Sequence, residues 1–222
     1  MGGSIFLLFT LFLCTSDMCR NYLRSTIKMK KVFFYFVLFS LIRTFVLTMN
    51  QLVRWWIWLR RIGNCRGFGI QSPNDYWFVR YVVNEHWPYY QYAYVGMDDD
   101  WLTRKIGRLC FRVANWRQPA TVVCSGELSP YAQAGCRHAS VKTEGTEADM
   151  MVIAADEAIR IMESVNSSNE RRVLIVKDIW RSPQLWRQII NNERTRISFD
   201  LYYCGIVFFD PKREKHNYII NF

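Results

Sequence analysis

Three short apolar runs, Thr121–Cys124, Met150–Ala154 and Val173–Val176, constrain this chain more than any other feature. Runs of four or five aliphatic residues without polar alternation suit strands buried on both faces, and such strands belong to sheets with helices on either side. Helical patterns fall between them. Glu127–Cys136 reads as a helix, Ala139–Lys142 as a weaker strand and Glu157–Val165 as a second helix. Ser182-Pro183 then opens a helix carrying Leu185, Trp186, Ile189 and Ile190. Arg196–Phe209 is a long β-rich stretch around Gly205, and Asn217–Phe222 closes as a strand. The expectation is an α/β fold: a reduced Rossmann-like, mostly parallel sheet with antiparallel C-terminal strands, preceded by helices.

Spacing limits the sheet. Cys124 and Met150 are separated by 25 residues. One βα unit takes about 25 residues, so the interval holds a single unit.

Ahead of the sheet, Gln118-Pro119 ends a helix that starts after Asp98-Asp99-Asp100, whose charges suit a helix N-terminus. Leu102, Ile106, Leu109 and Val113 form its apolar stripe; Arg104, Lys105, Arg108 and Arg112 form a basic face. That face suits RNA or phospholipid in principle, and a solvated face is the plainer expectation. Ser72-Pro73 caps another helix, running to about Glu85, with Asp75 in the capping-box place. Gly67-Phe68-Gly69 before it reads as a tight connection or a phosphate cradle, and His86-Trp87-Pro88-Tyr89-Tyr90 as an aromatic turn without evident chemistry.

These residues carry a resemblance. An RGFGIQSP loop leads into a helix, a GRLCFRVANW helix leads into TVV, and the chain closes with FDLYYCGIVFF and NYIINF. Over Met49–Phe222 it resembles a group of Bacteroidota proteins related to class I SAM-dependent methyltransferases of the O-methyltransferase type. The resemblance implies strand order 3-2-1-4-5-7-6 with strand 7 antiparallel. Thr121–Cys124 then corresponds to strand 1, Met150–Ala154 to strand 4, Val173–Val176 to strand 5 and Ile197–Phe209 to strands 6 and 7. Such a family has a GxGxG turn after strand 1, where backbone approaches the cofactor closely. Here the turn is Cys124-Ser125-Gly126-Glu127, with one glycine. An acid after strand 2 holds the ribose, and Glu144 is the nearest candidate. Asp156 and Asp178, at the ends of two strands, are candidates for substrate or cation binding or for helix capping.

The expected function is therefore a methyltransferase-like protein, degenerate and non-catalytic, with a structural or interaction role and no cofactor. The alternative is an active SAM-dependent methyltransferase in which Ser125, Gly126 and Glu144 face S-adenosylmethionine and Asp156 or Asp178 meets substrate. A protein partner is open, and no metal site is expected: three histidines and seven cysteines are scattered without CxxC spacing. Free thiols point to a reducing, cytoplasmic setting.

The net charge of +10 sits at the N-terminus. Residues 1–70 hold ten basic residues and one acid, beside the most apolar part of the chain, which disfavours a nucleic-acid partner and favours a membrane surface. Three segments are expected: an apolar basic segment 1–48, a helical region 49–117 and the α/β domain 118–222. Val32–Thr48 is seventeen residues, at the lower edge for a span, so a single inner-membrane anchor is one reading and a signal peptide from Met29 a poorer one. Residues 50–62 carry Leu52, Trp55, Trp56, Leu59 and Ile62 at helical spacing, either as a membrane-interface helix or, as expected here, docked on the following domain. A third reading places the start of translation at Met49. Intact mass of the natively expressed protein tests it: the Met49 species supports that start, and a species containing residues 1–48 rules it out.

Overall fold

The computed structural model describes residues 51–222, apart from 146 and 165–170. The expectations for residues 1–48 lie outside the described residues. No helix among the described residues is long and apolar enough to cross a membrane.

The apolar runs form strands as their composition requires. The strands are β1 (Thr121–Cys124), β2 (Ser140–Lys142), β3 (Met150–Ala154), β4 (Val173–Lys177), β5 (Ile197–Asp200), β6 (Cys204–Phe208) and β7 (His216–Ile219). They make one sheet in the order β2-β1-β3-β4-β6-β5-β7. β1 pairs in parallel with β2 and β3, and β3 with β4. β6 is antiparallel to both β4 and β5, while β7 is parallel to β5. The expected antiparallel C-terminal strands thus reduce to β6 alone. The three-residue turn at 201–203 reverses the chain between β5 and β6, but the longer connection 209–215 returns β7 in the direction of β5.

Among the described residues, 51–60 form helix α1, and five helices flank the sheet: α2 (Pro73–Phe78), α3 (Trp101–Arg117), α4 (Ser129–Gly135), α5 (Ala155–Ser164) and α6 (Pro183–Asn191). Strand side chains alternate between two buried faces. Val122, Met150, Val152, Ile175 and Phe199 pack with α2, α3 and α4. Val123, Met151, Leu174, Val176 and Val207 pack with α5 and α6. Burial on both sides is why these strands read as continuous apolar runs. From Trp58 onward the helices and the sheet belong to one compact unit.

Two N-terminal expectations change. α2 ends at Phe78 and continues as a π turn, Val79–Val83, so the helix to Glu85 is shorter and wider at its end. Asp75 is no capping-box acid: its own amide donates to Ser72 Oγ, while its buried carboxylate accepts from Arg213 and, at 3.2 Å, from the Tyr218 hydroxyl. That pairing ties α2 to β7 and its approach. Leu59 and Ile62 of the expected stripe, which lie in the compact unit from Trp58 onward, are exposed.

α3 is the helix the rest is built on. Asp100 caps it, accepting from Leu102 and Thr103 amides at 3.1 Å. Two cations of its basic face are bonded to backbone carbonyls. Arg112 is buried and donates to the carbonyls of Val82 at 2.7 Å and Val83 at 2.9 Å. Arg104 donates to the carbonyls of Gly96, Met97 and Asp99. α4 packs against α3 through Tyr131, whose ring lies where a Cβ on Gly107 would be, 2.5 Å away. Alanine in a helix interior is ordinarily worth about 1 kcal/mol over glycine. Here the overpacking cost, about 1–3 kcal/mol, opposes it, and Tyr131 is fully buried and cannot swing aside. Gly107→Ala is therefore expected to lower stability by roughly 1 kcal/mol or more, read as a lower denaturant midpoint. A higher midpoint would contradict the packing.

Candidate functional site

In a parallel α/β sheet, ligands sit at the carboxyl ends of the strands where the strand order reverses. Here that point lies at β1, with β2 on one side and β3 on the other. Ser125 leaves β1 at this point, and its carbonyl accepts from the amides of Leu128 at 3.0 Å and Ser129 at 3.1 Å. The turn thus closes on itself. Lys177, at the end of β4, is in register with Ala154 of β3 and reaches past that small residue to donate from Nζ to Ser125 Oγ at 3.3 Å. An ammonium group therefore lies across the reversal point. Gly126 has open space around it and no left-handed φ, so its conformation does not demand glycine.

The other sequence candidates are engaged separately. Glu144 follows β2 and is exposed. Asp156, in the first turn of α5, pairs with Arg160 at 3.0 Å on an exposed surface. Asp178 follows β4 with a left-handed φ of 54° and faces Arg181 at 3.7 Å. Only Ser125 is drawn to a group from another strand, and that group, Lys177, has no motif in the sequence to announce it. Among the described residues no three His, Cys, Asp or Glu side chains converge to hold a metal ion.

Cys110, Cys124 and Cys204 are free and buried near this edge. Burial pushes the Cys124 thiol up from its ordinary 9.0 to about 11, against the opposing pull of Lys177. Burial likewise raises Cys204 to about 12, and Cys110 well above its usual range. These thiols stay protonated at neutral pH and are no nucleophiles there.

A second feature was not legible in the sequence. A cleft of about 640 Å³ opens between the π turn with the loop that follows it, residues 83–93, and the basic face of α3, with Phe222 in its lining. Its wall is fixed by the Arg112 bonds to Val82 and Val83. Arg108 lies over the Tyr92 ring at 4.8 Å, and Lys105 lies over Phe222 at 4.5 Å and Trp101 at 5.1 Å. The aromatic turn His86–Tyr90 is thus part of a wall, and the signal for it was the pairing of that turn with a helix face rich in cations. Trp101 continues the lining onto Tyr203, ring centroids 5.4 Å apart, beside the β5–β6 turn.

No protein-family profile, curated protein or solved structure matches the chain.

The raised thiols set an alkaline limit. In the unfolded chain Cys124 and Cys204 lose protons near pH 9, and in the folded chain only near about 11 and about 12. Their contribution to stability is complete below the unfolded value and falls as pH rises toward the folded one. Tyr89 and Tyr218, each raised to about 12 by burial and by bonding to Glu85 and Asp75 respectively, extend the same trend. Denaturant midpoints are expected to fall steadily from about pH 8 to about pH 10.5, with a shallower slope in Cys204→Ala. A flat profile would contradict it.

Proposed function

We propose that the chain is a methyltransferase-like α/β domain with a reduced nucleotide-binding half, and that it acts by binding a partner or ligand without methyl transfer. The strand order carries this reading. With β1 as strand 1, β3 as 4, β4 as 5, β5 as 6 and β6 as 7, the order from β2 to β5 reads 2-1-4-5-7-6, with β6 the antiparallel member. Among the described residues no strand lies beyond β2, in the place of strand 3, and β7 adds a parallel strand at the opposite edge.

The residues at the reversal point fit S-adenosylmethionine poorly. The turn after β1 closes on itself, the Leu128 and Ser129 amides donating to the Ser125 carbonyl. Lys177 brings a positive charge to a place where the cofactor's sulfonium is also positive, and like charges at short range are unfavourable. Glu144 is exposed and the turn holds one glycine. A nucleic-acid partner is disfavoured for a related reason. Arg104 and Arg112 are committed to carbonyls and Lys105 lies among rings, which leaves Arg108 alone with an open donor edge, so α3 presents no continuous basic stripe. The free thiols suit a reducing cytoplasmic setting.

Calorimetry with S-adenosylmethionine and S-adenosylhomocysteine tests the reading. No binding is expected at ligand concentrations up to about 1 mM, an affinity weaker than about −4 kcal/mol. Micromolar binding that is lost in Gly126→Asp, a position with room for the side chain, would overturn it.

A further inference from the structure

We propose that the cleft between the residue 83–93 segment and α3 is a binding site for a small planar anion, an aromatic ring carrying a phosphate or a carboxylate. The inference concerns a place distinct from the reversal point and goes beyond the reading above.

Its chemistry is written in the lining. Trp87, Tyr92, Trp101 and Phe222 supply ring faces. Arg104, Lys105, Arg108 and Arg112 supply four cations, against one acidic side chain, Glu85, which already accepts from the Tyr89 hydroxyl at 2.8 Å. A cleft with that excess of positive charge favours anions and disfavours cations.

The four cations are not equivalent. Arg104 and Arg112 direct their donors to backbone carbonyls and serve as struts. Lys105 sits among the rings of Trp101, Tyr203 and Phe222. Arg108 is different: its guanidinium lies over Tyr92, and its donors make no hydrogen bond or ion pair among the described residues. A guanidinium held by a ring while its donor edge is open is arranged for the two-pronged recognition of a carboxylate or phosphate. Asn84, also in the lining, has its amide nitrogen buried without a hydrogen-bond partner among the described residues. Such a donor costs about 1–3 kcal/mol, and a rotation about χ2 toward a ligand acceptor would relieve it.

Size and rigidity agree. A volume of about 640 Å³ lies within the range of small-molecule sites. The wall is held before any ligand arrives, because Arg112 pins the π turn and Arg104 pins residues 96–99. π turns inside helices occur frequently at functional sites, and here one supplies the wall.

The test uses the full chain, with calorimetry and tryptophan fluorescence as readouts. Adenosine 5′-monophosphate is the phosphate-bearing probe and anthranilate the carboxylate-bearing one; adenosine and inorganic phosphate each carry half of the chemistry. At least one of the two aromatic anions is expected to bind below about 1 mM, and the two half-probes at least about tenfold more weakly. Which anion prevails identifies the source. Arg108→Glu is expected to weaken binding by at least about tenfold and Arg108→Gln to weaken it less, while Gly126→Asp leaves it unchanged. Circular dichroism of each variant confirms that it is folded. Absence of binding by both anions, equal binding of phosphate alone, or binding indifferent to both Arg108 variants would overturn the proposal. Binding of S-adenosylhomocysteine that responds to Gly126→Asp and not to Arg108→Glu would overturn the non-catalytic reading and leave this site standing.

Discussion

Arginine donors on backbone carbonyls hold this fold together. A guanidinium has five N–H donors in a fixed plane, so one side chain can satisfy carbonyls from two turns or two strands at once. Arg112 does this for Val82 and Val83, Arg104 for Gly96, Met97 and Asp99, and Arg61 for Asp200 and Ile220. Arg172 reaches Ala148 and Arg117 reaches Arg171 in the same manner. The carbonyls lie at helix ends, in loops and at strand ends, where the regular hydrogen-bond patterns run out. Removing a buried donor such as Arg112 would strand two acceptors, each at about 1–3 kcal/mol. Part of the chain's positive charge is thus structural, and it need not describe a polyanionic partner.

That constraint also decides where a ligand can be received. Arg61 gathers the carboxyl ends of β5 and β7, bonding Asp200 at 2.7 Å and lying over Tyr202 at 5.3 Å. Tyr202, held at a φ of 73°, stacks with Trp180, and Tyr203 meets Trp101. The carboxyl edge from β4 to β7 is consequently paved with rings. At β1 the same edge is crossed by Lys177. The open space lies on the α3 side, beside the π turn that Arg112 ties to that helix. In the account proposed above, the reversal point where a methyltransferase-like sheet would take its cofactor is occupied by the chain's own groups, and a different cleft has the recognition chemistry.

The sheet was legible because burial on both faces leaves a local trace. Thr121–Cys124, Met150–Ala154 and Val173–Val176 are apolar regardless of what lies next to them, and the 25-residue interval limited what could lie between the first two. The arginine roles were not legible, because their partners are remote: Arg112 and Val82 are 30 residues apart, Arg61 and Ile220 are 159. On a helical wheel Arg112 looks like one more surface cation. Asp75 misled for the same reason, since its position fits a cap while Arg213 and Tyr218 claim its carboxylate. The direction of β7 depends on the 209–215 connection, and no residue pattern within Asn217–Phe222 encodes it. Ser125 was placed at the right edge because it follows the apolar run Thr121–Cys124, but Lys177 meets it through tertiary structure alone.

The central claim is that ligand recognition lies at Arg108 and the aromatic cleft and not at Ser125 and Gly126. Nuclear magnetic resonance of the isotope-labelled full chain tests both places in one experiment. On titration with S-adenosylhomocysteine, the Ser125 and Gly126 amide signals are expected to stay in place. On titration with an aromatic anion, the Trp87 and Trp101 indole signals and the Arg108 side-chain signal are expected to move together. Shifts at Ser125 and Gly126 with S-adenosylhomocysteine, with the cleft signals still, would contradict the account.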